Sequence, residues 1–126
     1  MNPDDRRYTE EHEWVKIDGD RVTAGTTHHA QDALSDAVYV DLPATGTRVE
    51  SGQPFGEVES TKSVSDLFAP LSGTIAERNS ALESNPELVN SDPYGEGWMV
   101  VLQVDDTSAI DEMMTAEAYA ALTEDS

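Results

Sequence analysis

Cysteine is missing from this sequence, and lysine nearly so. With no thiol among 126 residues, thiolate nucleophiles, CxxC redox pairs, cysteine-ligated zinc and disulfide staples are excluded together. Long apolar runs are absent too: the longest, WMVVL from Trp98 to Leu102, falls far below the roughly 18 residues that a membrane-spanning helix needs. The start, MNPDDRRY, has no apolar stretch of the kind a secretion signal carries, so a cytoplasmic protein is expected. Positive charge is also scarce. Five arginines and two lysines face 26 aspartates and glutamates, for a formal net charge of -19.

That balance repels phosphate backbones and anionic lipid surfaces, so neither a nucleic acid nor a membrane is expected as a partner. The Debye length is about 8 Å at ordinary ionic strength and about 3 Å at 1 M salt, so a concentrated electrolyte would relieve the self-repulsion. The acidity therefore points to a salt-rich, halophilic cytosol. Disorder is the competing reading of high charge. It is disfavoured because hydrophobic residues, 37% of the chain, recur at regular spacing and no block of like charge is long. A chain of this length encloses one core, so a single domain over 1–126 is expected, with 1–7 and 123–126 flexible and the protein monomeric.

What is present is a pattern of short alternating segments between turn formers. EWVKI and RVTAG flank Asp18-Gly19-Asp20, where the glycine supplies the positive φ of a tight reversal. AVYVDL would place Val38, Val40 and Leu42 on one face. TRVE, FGEVES, SVSDLFAP, GTIAER and WMVVLQV follow, with a loop from Leu82 to Gly97. Many short strands at near-regular intervals predict a mostly β antiparallel sandwich or barrel. Two segments depart from alternation. Thr27 would cap a short helix carrying Ala30, Ala33 and Leu34 on one face. Ser108 and Asp111 resemble a capping box opening a helix with Ile110, Met113 and Met114 inward, followed by a turn carrying Tyr119 and Leu122. These helices would cover an edge of the sheet.

Apparatus for catalysis is not visible. With so many carboxylates, acid pairs arise by chance at almost any spacing. His28 and His29 are adjacent and point apart, and His12 is isolated, so a metal site is not expected. There is no GxSxG, and the glycines of YGEGW lack the lysine of a phosphate loop. Lys62 stands out instead. It lies in VESTKSVSD, between two strand-like arms whose junction, Ser60 to Ser63, has neither glycine nor asparagine. A primary amine at such a tip is reachable from all sides and offers a nucleophilic nitrogen that arginine cannot. The position suits covalent attachment of a carrier group, although a lone solvated lysine is the ordinary alternative.

Five segments in order, YTEEHEWV, AQDALSD, FGEVESTKSVSDLFAP, the Ser72-Gly73 turn and NPELVNSDPYGEGWM, resemble the H proteins of the glycine cleavage system. The likeness runs from about Tyr8 to Leu122. It implies a lipoyl/biotinyl-like barrel-sandwich hybrid with a short internal helix and C-terminal helices. It implies that Lys62 carries lipoate as N6-lipoyllysine, which removes the amine's charge and lengthens the side chain into a dithiolane arm. A non-catalytic carrier of glycine catabolism and one-carbon metabolism follows. It would pass an aminomethyl group from a pyridoxal-phosphate glycine decarboxylase to a tetrahydrofolate-dependent aminomethyltransferase, and electrons to dihydrolipoamide dehydrogenase. A lipoate ligase or lipoyl transferase would load it. Glu13 and Asp66 match acidic positions that the family is thought to use against the loaded arm, where carboxylates would hold the cationic nitrogen away from water. Solvated acidic surface is the alternative for both.

Some residues depart from the family pattern. Thr61 and Ser63 replace the more usual apolar residue and alanine beside the lysine, and Ala33 stands where some relatives have histidine. Two neighbouring readings share the tip lysine: an H-like relay that only lipoylates other enzymes, and a lipoyl domain of a 2-oxoacid dehydrogenase complex, which the N-terminal HEW segment and closing helices do not fit. A biotin carrier would flank its lysine with methionines. An acidic all-β binding module without a cofactor is the reading from a different class.

Overall fold

The computed structural model describes residues 5–27, 29, 30 and 36–124. Among these residues nine strands form two antiparallel sheets. In chain order they are β1 (Arg7–Tyr8), β2 (Glu13–Asp18), β3 (Arg21–Thr26), β4 (Ala37–Asp41), β5 (Arg48–Val49), β6 (Pro54–Ser60), β7 (Val64–Phe68), β8 (Gly73–Arg78) and β9 (Val100–Val104). The larger sheet has the order β1-β2-β3-β9-β8-β5 and the smaller β4-β6-β7. Among the described residues no helix is long and apolar enough to cross a membrane.

Alternation explains most of the packing. Val15, Val22, Ala24, Ile75, Val100 and Leu102 turn inward from the larger sheet into one cluster, and Val40, Val58 and Leu67 from the smaller sheet build a second. Leu42 and Phe55 touch both clusters and join them. The β2–β3 hairpin closes as its sequence predicts, Asp18 facing Arg21 and Gly19 at φ +67°. A third, aromatic cluster of Tyr8, Trp14 and Tyr119 lies at the β1 end. There Trp14 pairs across the ladder with Gly25. A Cβ on Gly25 would stand 2.8 Å from the indole, so only glycine admits the ring.

Several expectations need correction. Val38 is not on the core face: it is 51% exposed, because the β4–β6 register shifts between Ala37 and Tyr39. One extra residue reverses the alternation there and turns Ala37, rather than Val38, inward. The stretch from Leu82 to Gly97 is not all loop. It contains α1 (Ala81–Ser84) and α2 (Leu88–Ser91), which bury Leu82 and Val89. The segment near Ser108 is a 3-10 helix (Thr107–Glu112) capped by Asp106, whose carboxylate accepts from the Ser108 N–H at 3.0 Å. Asp106 precedes the supposed capping box and wins because its side chain reaches back over the first turn. The last helix, α3 (Ala116–Glu124), buries Tyr119 but leaves Leu122 40% exposed.

The terminal helix covers an edge as predicted: α3 packs on β1, the outer strand of the larger sheet. Tyr8 and Met114 exchange backbone hydrogen bonds of 2.9 and 3.1 Å beside it. Arg7 lies in β1 and Thr123 in α3, so regular elements occupy part of the ends that the sequence suggested were flexible. The Thr27 hydroxyl accepts from the Ala30 N–H at 3.2 Å, the capping contact expected of it. His28, Ala33 and Leu34 of that segment lie outside the described residues.

Candidate functional site

Lys62 is exposed at the tip joining β6 to β7. Its turn needs no glycine because Ser60 supplies the missing hydrogen bonds. The Ser60 hydroxyl accepts from the backbone N–H groups of Lys62 (3.2 Å) and Ser63 (3.0 Å). It donates to the Ser63 carbonyl at 3.0 Å, to which the Ser60 N–H also donates at 2.8 Å. A side-chain oxygen thus replaces a backbone partner and fixes the bend. Beyond it, β7 is an edge strand of the smaller sheet.

That edge forms one wall of a cleft of about 450 Å³, through Ser63, Ser65, Asp66, Leu67 and Phe68. The other lining residues come from two segments, Glu11, His12 and Glu13 from one and Thr26, His29 and Ala30 from the other. Ser63, the residue after Lys62, lies at the cleft, so the tip opens onto it. Glu13 is 4% exposed and is the one buried carboxylate among the described residues. One of its oxygens accepts from the Phe68 N–H at 2.8 Å and ties the two sheets together. The other, Oε1, is buried without a partner, as is the Thr26 hydroxyl. Burial pushes the Glu13 carboxyl up to about 8; the Phe68 N–H opposes this and the charge of Glu11 adds to it.

Both acidic residues picked out from the sequence therefore line one cleft, Glu13 buried and Asp66 on the exposed face of β7. Sequence reasoning missed four others: His12, Thr26, Thr27 and Tyr119. Backbone φ of His12 is +65°, the left-handed region that non-glycine residues seldom adopt. Its Nδ1 lies 2.7 Å from the Tyr119 hydroxyl, and its ring centroid 4.6 Å from that of His29. No group of three or more histidine, aspartate or glutamate side chains suited to a metal occurs among the described residues. Two residues that line the cleft, Glu13 and Thr26, thus each hold a buried oxygen without a partner, and such oxygens are acceptors of the kind an ammonium requires.

A barrel-sandwich hybrid with an amine on an exposed hairpin tip is the architecture of carrier domains that bear a flexible arm. The family model for glycine cleavage H-proteins matches residues 6–126. A glycine cleavage system H protein of Bacillus pumilus is 50% identical over 123 residues, covering 98% of this chain and 97% of that protein. A probable glycine cleavage system H protein of Haloarcula marismortui is 50% identical over 117 residues, covering 93% and 92%. The crystal structure of a glycine cleavage system H protein from Mycobacterium marinum superposes with a TM-score of 0.89 at 44% identity, covering 97% of this chain and 98% of that one. The chain belongs to the glycine cleavage H-protein family. Membership makes it the lipoyl carrier subunit of that system, which presents a group to enzymes and is not itself a catalyst.

Proposed function

We propose that Lys62 is the residue that carries lipoate, as an amide of its ε-nitrogen, and that the cleft beside it shelters the loaded arm. The observation that carries this reading is the juxtaposition of an exposed amine, a rigid bend and a cleft floored by the only buried carboxylate described. The bound lipoyl group supplies the sulfur that takes up the aminomethyl cargo. The protein's own residues supply placement and cover. Ser60 holds the bend, so the amine is presented to a lipoate ligase or lipoyl transferase in one conformation. Glu13 and Thr26 offer the acceptors for a cationic nitrogen, and Asp66 adds negative charge at the exposed side. Leu67 and Phe68 contribute apolar wall and reduce access of water.

The partners in this reading are glycine decarboxylase, aminomethyltransferase and dihydrolipoamide dehydrogenase, each approaching the same tip. The chain works as a monomeric single domain in the cytoplasm, and its acidic surface is an adaptation to high salt. Incubation with lipoate ligase, ATP and lipoate, followed by intact mass and peptide mapping, should add one lipoyl group at Lys62 and none at Lys16. Lys62→Arg should remain unmodified. A bare Lys62 beside a modified control carrier would refute the assignment. Glycine and bicarbonate exchange with the decarboxylase separates this carrier from a relay that only lipoylates other enzymes, since such a relay would not support it.

A further inference from the structure

One wall of the cleft is built from two chain segments at the end of the β2–β3 ladder, whose last pair, Glu13 and Thr26, lines it. Beyond that pair Glu11 and His12 precede β2, while Thr27 and the lining residues His29 and Ala30 follow β3. A side chain from the C-terminal helix bridges the two where the ladder stops. The Tyr119 hydroxyl lies 2.7 Å from His12 Nδ1 and 2.7 Å from Thr27 Oγ1. Thr27 in turn accepts from the Ala30 N–H, and its own N–H donates to the His12 carbonyl at 3.1 Å. The Tyr119 ring is fully buried and stacks on Tyr8 with centroids 4.9 Å apart and planes 10° from parallel. Its hydroxyl is thus fixed by the ring before it fixes anything else.

We propose that Tyr119 is a positioning residue for the loaded arm: from α3 it holds His12 and Thr27 together and keeps the cleft wall closed around Glu13. The inference rests on the cleft's role as arm shelter and deepens it by assigning a function to the terminal helix. Two features of the wall need such a tie. His12 sits in a left-handed conformation that persists only where surrounding contacts over-determine it. A phenol also has one proton, so its two contacts are ordered. When Tyr119 donates to His12 Nδ1, Thr27 donates to the phenol oxygen, and the neutral imidazole carries its proton on Nε2. In the reverse order His12 Nδ1–H donates to the phenol and Tyr119 donates to Thr27, so the bridge couples the tautomer of a ring that lines the cleft to the Thr27 hydroxyl.

Tyr119→Phe removes the hydroxyl and keeps the ring stack, so the variant retains the packing of α3 on β1. Two measurements test the proposal. In the unlipoylated protein, nitrogen-15 spectra should show one predominant neutral His12 tautomer in the wild type and a tautomer mixture in Tyr119→Phe. In the lipoylated, aminomethyl-loaded carrier, water cleaves the sulfur-to-methylene bond to give thiol, formaldehyde and ammonia. Ammonia release should be about fivefold or more faster in Tyr119→Phe, the factor expected from one net hydrogen bond. Thr27→Val should give a similar acceleration, and the double variant should add little to either single one. A purely structural Tyr119 would lower the denaturant midpoint yet leave the His12 nitrogen resonances of the folded protein in place, and that result would overturn the proposal. So would a well-protected wild type with an equally protected Tyr119→Phe. Wild-type release as fast as that of free aminomethyl-dihydrolipoamide would instead bring down the shelter reading and this proposal together.

Discussion

Replacing Glu13 with glutamine should make this protein more stable and a worse carrier. The carboxyl is pushed up to about 8 by burial, whereas in the unfolded chain it titrates near its ordinary value of about 4.3. Between those values the folded chain holds a proton that the unfolded chain has lost. Because the folded value is the higher one, stability is greatest below about pH 4.3, falls as pH rises, and the loss is complete above about pH 8. The full loss corresponds to about 3–5 kcal/mol. Glutamine cannot ionise, yet its carbonyl oxygen can still accept from the Phe68 N–H where Glu13 does so at 2.8 Å. Wild type and Glu13→Gln should therefore have similar urea midpoints near pH 5 and diverge steadily to pH 9, with the variant the more stable. His12, whose value is lowered by burial first and then by His29, loses stability as pH falls below about 6.5, but it is common to both proteins and cancels in the difference. The assay is urea unfolding at pH 5, 7 and 9 at one fixed salt concentration. A midpoint difference independent of pH would refute the assignment of a buried, ionising carboxyl. The gain has a functional counterpart above about pH 8, where the wild type carries a negative charge for a cationic cargo and the variant does not, so ammonia should escape faster from the loaded variant there.

Other outcomes follow from the same geometry. Ser60→Ala deletes the acceptor for the Lys62 and Ser63 N–H groups and should slow lipoylation several-fold while Lys62 stays equally accessible to a small amine reagent; an unchanged rate with ligase would mean that the bend is set elsewhere. Gly25→Ala drives a methyl into the Trp14 indole at 2.8 Å and should cost about 1–3 kcal/mol by overpacking, read from denaturant midpoints and the indole emission. Lowering salt lengthens the reach of repulsion in a chain of net charge -19 and should lower the melting temperature progressively; a curve flat in salt would count against the salt-adaptation reading.

Local pattern carried the strands, the glycine reversal at Gly19 and the turn that presents Lys62, because alternation, turn chemistry and residue type are properties of neighbours along the chain. The resemblance also singled out Glu13 and Asp66, but not their different burial. The bulge that exposes Val38 escaped detection because one inserted residue leaves the local composition unchanged while reversing the face. Ser60 was legible only in retrospect: serine is so common in turns that nothing marked this hydroxyl as the closing partner.

The contacts that make the cleft were beyond any local reading. Glu13 meets the Phe68 N–H across 55 positions, and His12 meets Tyr119 across 107. Sequence by itself determined a β-rich fold with a lysine at a hairpin tip, since each of those features needs only nearby residues. Tertiary structure decided which acidic side chain among the described residues would be buried, and which tyrosine hydroxyl would meet both His12 and Thr27. Desolvation and hydrogen-bond partnership arise only when distant segments pack together.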